Sequence, residues 1–274
     1  MNRRLNDLSN YEDIDLLFLG SSHAYRGFDT RIFKDHGLVS FNLGSSSQTP
    51  IQTEVLLEKY IHILNPKLVV YEVYPGTFSI DGVESTIDII SNDSIDIHLI
   101  KMIVQLKNIK LINVLVYKTV RDLLGLDKYF SESVLKGDDT YIAGGFVEKK
   151  MAYWHPVERK NTENWNLLVS QTTAFERIIS FLKKNKTNFI LVQAPVSREL
   201  YESYKNESEI DHYFSTYGNY YNFNNLLSLN SSEDFFDSQH LNQNGVRIFN
   251  DYLIDIIENN LNCDSRRTVM MLRQ

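Results

Sequence analysis

With 274 residues, 43% of them apolar and 23% charged, the chain is long enough for one large domain or two small ones and has a globular composition. A formal charge of −7 with no dense Lys/Arg run argues against a nucleic-acid partner. The single cysteine, Cys263, excludes an internal disulfide, and no apolar segment approaches the roughly 18–20 residues of a membrane span.

The first segment, "MNRRLNDLSNYED", has two arginines but no apolar centre, so it does not read as a signal peptide. The expectation is a soluble, cytoplasmic chain, or an extracytoplasmic one if an upstream anchor has been removed. Five short runs then read as β-strands in chain order: "IDLLFL" (14–19), "LVSFNL" (38–43), "KLVVYEVY" (67–74), "NFILVQA" (188–194) and, more weakly, "YYNF" (220–223). The first, third and fourth are nearly continuous apolar runs, which suits parallel strands covered on both faces.

Helical periodicity falls between these runs. Residues 52–64 place Val55, Leu56, Tyr60, Ile61 and Leu64 on one face before Asn65-Pro66 stops the helix. Residues 163–185 repeat the pattern with lysines gathered at the C-terminal end. Residues 244–261 do so again, with Val246, Phe249, Leu253, Ile256 and Ile257 in register. Strand then helix, repeated, predicts an α/β fold: a three-layer, doubly wound sheet of about five parallel strands. Residues 80–160 break the rhythm with a partly helical stretch and a Gly-rich, aromatic loop. They read as an insertion, a lid or cap, within a single domain spanning 1–262. Residues 263–274 lack periodicity and read as a loose tail.

In open α/β sheets the site forms outside the carboxyl ends of the strands. The residues just after the five runs are therefore the informative ones. They are Gly20-Ser21-Ser22-His23, Gly44-Ser45-Ser46-Ser47, Pro75-Gly76-Thr77, Pro195-Val196-Ser197 and "EDFFDSQHLNQNGVRIF" (233–249). Hydroxyls, glycines and the pair Asp237…His240 would meet on one edge, and that set contains the parts for acyl transfer. A histidine base needs its second nitrogen held by an acceptor, which a carboxylate three residues away can supply. Singly, each item has a plainer reading: His240 precedes a helix, and Ser21 or Ser22 makes a helix N-cap.

Taken together and in this order, the residues resemble the SGNH (GDSL-type) hydrolases, a superfamily of serine esterases and acyl-ester-processing enzymes. The resemblance runs from Ile14 to about Leu253, leaving out the insertion. It implies Ser22 as nucleophile, with Ser21 where the family usually has an acidic residue, Gly44 as an oxyanion glycine, and Asp237 with His240 as the final block. Within the oxyanion hole it implies backbone N–H groups from Ser22 and Gly44. "FLGSSHAYRGFDTRIF" with "DSQHLNQNGVRIF" is most similar to branches linked to cell-surface polysaccharide and teichoic-acid acylation. One block departs: many members carry Gly-x-Asn-Asp after the third strand, whereas this chain reads "VVYEVYPGTF" and offers no asparagine as third donor.

The expected activity is thus a serine esterase cleaving acyl, chiefly acetyl, esters on carbohydrate through an acyl-enzyme on Ser22. The rival readings are an O-acyltransferase with the same triad and a non-catalytic carbohydrate-binding protein on the same fold. His23, Glu72 and Tyr74 are pocket candidates, and Glu72, an acid in so apolar a run, needs a partner. No histidine cluster has metal-ligand spacing and no nucleotide-binding loop is present, so neither a metal nor another cofactor is expected. The expected partner is an acylated carbohydrate or other small ester.

Overall fold

Apolar runs become strands because, with helices on both sides, every side chain along them can be buried. In the computed structural model, which describes residues 1–126, 132–157 and 163–271, with side chains up to residue 261, these are β1 (Leu16–Leu19), β2 (Ser40–Asn42) and β3 (Leu68–Glu72), buried throughout. The insertion contributes β4 (Leu135–Lys136), β5 (Asp139–Ile142) and β6 (Phe146–Lys149), and the sheet is completed by β7 (Asn188–Gln193) and β8 (Tyr220–Asn222). The main sheet has the order β2-β1-β3-β7-β8 with every pair parallel. Strand order reverses between β1 and β3, and in such sheets the crevice beyond the strand ends at that point is where ligands bind.

One core lies between the sheet and a layer of helices that includes Pro50–Leu64 and Val169–Lys184; its centre holds Leu17, Leu56, Tyr71, Phe175 and Ile178. The first of these helices has clear local causes. A Thr49/Gln52 capping box and Pro50 at its first turn start it, and Asn65 in the left-handed region (φ 41°) ends it just before Pro66. The second core lies on the opposite face. There Phe18, Phe28, Phe33, Phe223 and Phe249 pack beneath the helices Ser22–Gly27, Thr30–Asp35 and Gln243–Met271. That last helix continues to Met271, past Cys263, where the sequence reading expected a loose tail.

The insertion divides in two. Its helices Val83–Asn92, Ile97–Leu106 and Ile109–Leu123 extend the first layer; Leu99, Met102 and Leu111 are buried in the first core. The Gly-rich part, expected as a loop, is the antiparallel three-stranded sheet β4-β5-β6. It packs on the opposite side, against the helix Ser22–Gly27, where Arg26 grips Asp139 through two hydrogen bonds of 2.9 and 2.7 Å. The predicted helix over 163–185 starts only at Val169, because Glu163 instead bridges to the chain around Ser203 and Lys205. The N-terminal segment, read only as lacking a signal, forms a helix, Asn2–Leu8.

Candidate active site

β1 ends at Leu19, and the chain turns at Gly20 with φ +137°, a conformation L side chains rarely adopt. A Cβ here would also lie 2.8 Å from Glu72 Cβ on neighbouring β3. Ser21 follows as N-cap, its Oγ accepting from His23 N–H, and Ser22 opens the helix Ser22–Gly27. Ser22 is half-buried, and among the described residues its backbone N–H makes no hydrogen bond.

Across the sheet end, Asp237 and His240 occupy a tight turn between β8 and the last helix. The Phe235–Leu241 bridge closes it, with Phe236 N–H donating to His240 O. Buried Asn242 anchors the turn: its amide donates to Glu233 O (2.7 Å) and Ala152 O (3.2 Å), while its Oδ1 accepts from Asn244 and Gly245 N–H. The turn brings together the three residues singled out in the sequence. His240 Nε2 lies 2.9 Å from Ser22 Oγ, and His240 Nδ1 lies 3.0 Å from each Asp237 carboxylate oxygen. Asp237 Oδ1 also accepts from the N–H groups of Gln239 (2.7 Å) and His240 (2.9 Å). Partial burial raises the Asp237 pKa, but the His240 bond and charge and these backbone donors outweigh it, and the carboxyl sits below its ordinary value. The arrangement keeps one imidazole nitrogen against a carboxylate and aims the other at a hydroxyl.

Two rings stack near His240. Phe236 lies nearly parallel to it (5.4 Å, 5°), and His23 lies 5.0 Å away at 24°. His23 is in turn covered by Tyr74 at 4.0 Å, which is backed by Trp165. Burial, reinforced by neighbouring His240, holds the His23 pKa well below its ordinary value. The pocket candidates therefore take different positions. His23 borders a small crevice with Pro195, Gln239 and His240. Tyr74 lies behind His23 as packing. Glu72 lines no open surface: it is 2% exposed, beneath Gly20 and Ser21.

Glu72 has the partner its apolar strand demanded. Ser21 Oγ–H donates to Glu72 Oε2 at 3.3 Å, and Ser21 Oγ also lies 3.2 Å from His23 Nδ1. Burial pushes the Glu72 pKa up to about 8, against smaller opposing contributions from Ser21, Tyr74 and Ala194. Ser21 is thus more than a turn residue: it joins a buried acid to the histidine that backs His240. Residues 51 positions apart carry no sequence pattern that announces such a contact, and only the register of β1 with β3 creates it.

Gly44, expected as an oxyanion glycine, lies against the turn that holds Ser21 and Ser22. A Cβ there would fall 2.9 Å from Ser21 O and 3.0 Å from Ala24 Cβ, so only glycine lets the two segments meet. Its N–H, expected to face a substrate, donates instead to Asn42 Oδ1 at 3.0 Å. Asn42, missed in the sequence, also donates from Nδ2 to Ala24 O (2.8 Å) and so fastens the end of β2 to the Ser22 helix. After β3, the Tyr74 ring lies against Gly76.

A cleft of about 360 Å³ opens beside the Ser22 helix, lined by polar and apolar residues that include Arg4, Tyr25, Ser45, Ser46, Asp139 and Tyr141. Of the insertion aromatics, Tyr141 is tied to Asp7 through its hydroxyl, Trp154 packs against the second core and Tyr153 is exposed. Among the described residues, no three His, Cys, Asp or Glu side chains converge as a metal site requires.

The whole chain has likenesses among solved structures. One is a protein from Bacteroides fragilis provisionally named an acylhydrolase: 11% identity, 94% of this chain and 95% of that one covered, TM-score 0.46. Another is a GDSL-like lipase from Bacteroides thetaiotaomicron: 12% identity, 94% and 97% covered, TM-score 0.47. No protein-family model and no curated protein matches the sequence.

Proposed function

We propose that this chain is a serine esterase that cleaves acyl esters through an acyl-enzyme on Ser22. The observation that carries the reading is the continuous hydrogen-bonded chain Ser22–His240–Asp237. Ser22 Oγ attacks the ester carbonyl while His240 Nε2 takes the hydroxyl proton, and Asp237 steadies the imidazolium that forms. The oxyanion is received by Ser22 N–H and by Gly44 N–H once the latter leaves Asn42. Collapse breaks the bond to the leaving alkoxide, which accepts the proton from His240 and departs as an alcohol. Water, deprotonated by His240, then releases the acid and regenerates Ser22.

An acetylated carbohydrate is the proposed substrate class. It rests on the family resemblance and on the cleft beside the Ser22 helix, which carries Tyr25 and Tyr141 alongside serine and charged side chains. The size of that cleft also favours a second reading, in which a sugar hydroxyl replaces water in the last step and the enzyme is an O-acyltransferase. Both readings are tested by screening acetylated sugars and p-nitrophenyl esters with wild type and Ser22→Ala, with product analysis in the presence of acceptor sugars. Turnover lost in Ser22→Ala supports the enzyme; acyl sugar formed in preference to free acid selects the transferase. Equal activity in both proteins refutes the reading.

A further inference from the structure

The helix Ile109–Leu123 is apolar on two sides, yet only one is packed. Leu111 is fully buried and Val114 and Leu115 pack against the first core. On the far side, Ile109, Ile112, Val116, Val120 and Leu123 recur at three- and four-residue spacing and are 48–82% exposed, followed by Leu124 at 67%. The preceding helix Ile97–Leu106 repeats this, with Leu99, Met102 and Ile103 inside and Ile97, Ile100 and Val104 exposed. Such a stripe is unusual on the surface of a monomer and marks an interaction surface.

Charge indicates the partner. Residues 97–126 hold five Lys/Arg against one acid, Asp122, in a chain whose formal net charge is −7. Asp122 is engaged by Lys118, while Lys101, Lys107 and Lys110 are exposed on or beside the two helices. A symmetric contact with a second copy would set these lysines against each other, and the single acid of residues 97–126, Asp122, is already engaged. An anionic bilayer meets both features, taking apolar side chains into the headgroup boundary and cations onto its phosphates. No helix here is long and apolar enough to cross a membrane among the described residues, which leaves surface attachment.

We propose that the solvent face of Ile109–Leu123, flanked by Lys101, Lys107 and Lys110, docks this protein on an anionic lipid surface. The test is co-sedimentation of the full chain with vesicles of phosphatidylcholine alone and with one quarter phosphatidylglycerol. Binding to the mixed vesicles, weaker on raising salt, is expected. Val116→Glu with Val120→Glu, both solvent-facing, should reduce it at least tenfold with the circular dichroism spectrum unchanged. Replacing the three lysines by alanine should weaken it by about 10², since each contributes roughly fivefold near an anionic surface. Absence of binding to the mixed vesicles overturns the proposal, as does binding that survives the double glutamate. So does a dimer by light scattering that dissociates in the glutamate variant, which would make this face a contact between copies.

Discussion

His23 lies against His240, ring centroids 5.0 Å apart and 24° from parallel, so the residue following the proposed nucleophile Ser22 packs against the proposed base. A neutral imidazole is the form that suits this position, because a cation there would oppose the imidazolium formed on His240. Burial and His240 itself keep His23 neutral. His23 is accordingly a positioning residue. His23→Ala should lower kcat by about 10–100-fold with little change in KM, an effect of the size that misplacement of a reacting group produces. His23→Phe, which keeps a ring against His240, should recover most of it. Steady-state kinetics on one ester decides; equal losses in both variants would remove the stacking explanation.

Glu72 sets a pH dependence of stability. Its folded-state pKa, about 8, lies above the ordinary 4.5, so between those values the folded chain holds a proton that the unfolded chain releases. The stability from this group is therefore complete below about 4.5 and is lost as pH rises towards 8. Glu72→Gln keeps the shape and an acceptor for Ser21 without the titration. Wild-type Tm should fall relative to Glu72→Gln between pH 5 and pH 8.5, as followed by thermal melts. Parallel curves would contradict the buried-acid account.

Much of the sheet was legible because buried parallel strands need apolar centres, and β1, the first four residues of β3 and the middle of β7 supply them. The three residues of the Ser22–His240–Asp237 chain were legible because they follow strands, where such sheets place their sites, and because their order resembles the SGNH-type blocks. The three-stranded sheet of the insertion was not, since β5 (DTYI) and β6 (FVEK) are only four residues long, lack the alternation of a half-buried strand and adjoin glycines that read as loop. Nor were the supports. Asn42, Asn242 and Phe236 act through tertiary contacts, and their residue types carry no signal of their own.

Asp237 is expected to matter through its charge as well as its position. Asp237→Asn retains an acceptor for the backbone N–H groups of Gln239 and His240 but removes the anion beside His240 Nδ1. The kcat should drop by about 10²–10⁴ while the melting curve shifts little. A variant within tenfold of wild type would mean that His240 does not work as a base held by Asp237.

The hairpin is expected to shape the substrate cleft. Asp139→Ala removes the two-bond grip of Arg26 and one wall residue of the cleft. On p-nitrophenyl acetate, which is too small to need that wall, kcat/KM should stay within about threefold. On an acetylated oligosaccharide it should fall by about tenfold or more, because binding remote from the reacting atoms orients the larger substrate. Equal falls on both would place the hairpin's effect on the Ser22 helix instead.

The central claim is that His240 activates Ser22 for attack on an acyl carbon, and a fluorophosphonate reports on it without knowledge of the substrate. Labelling followed by peptide mass spectrometry should place one adduct on Ser22, and labelling should be slowed at least 10²-fold in His240→Ala. An adduct on Ser21, or a rate of labelling that ignores the loss of His240, would contradict the account.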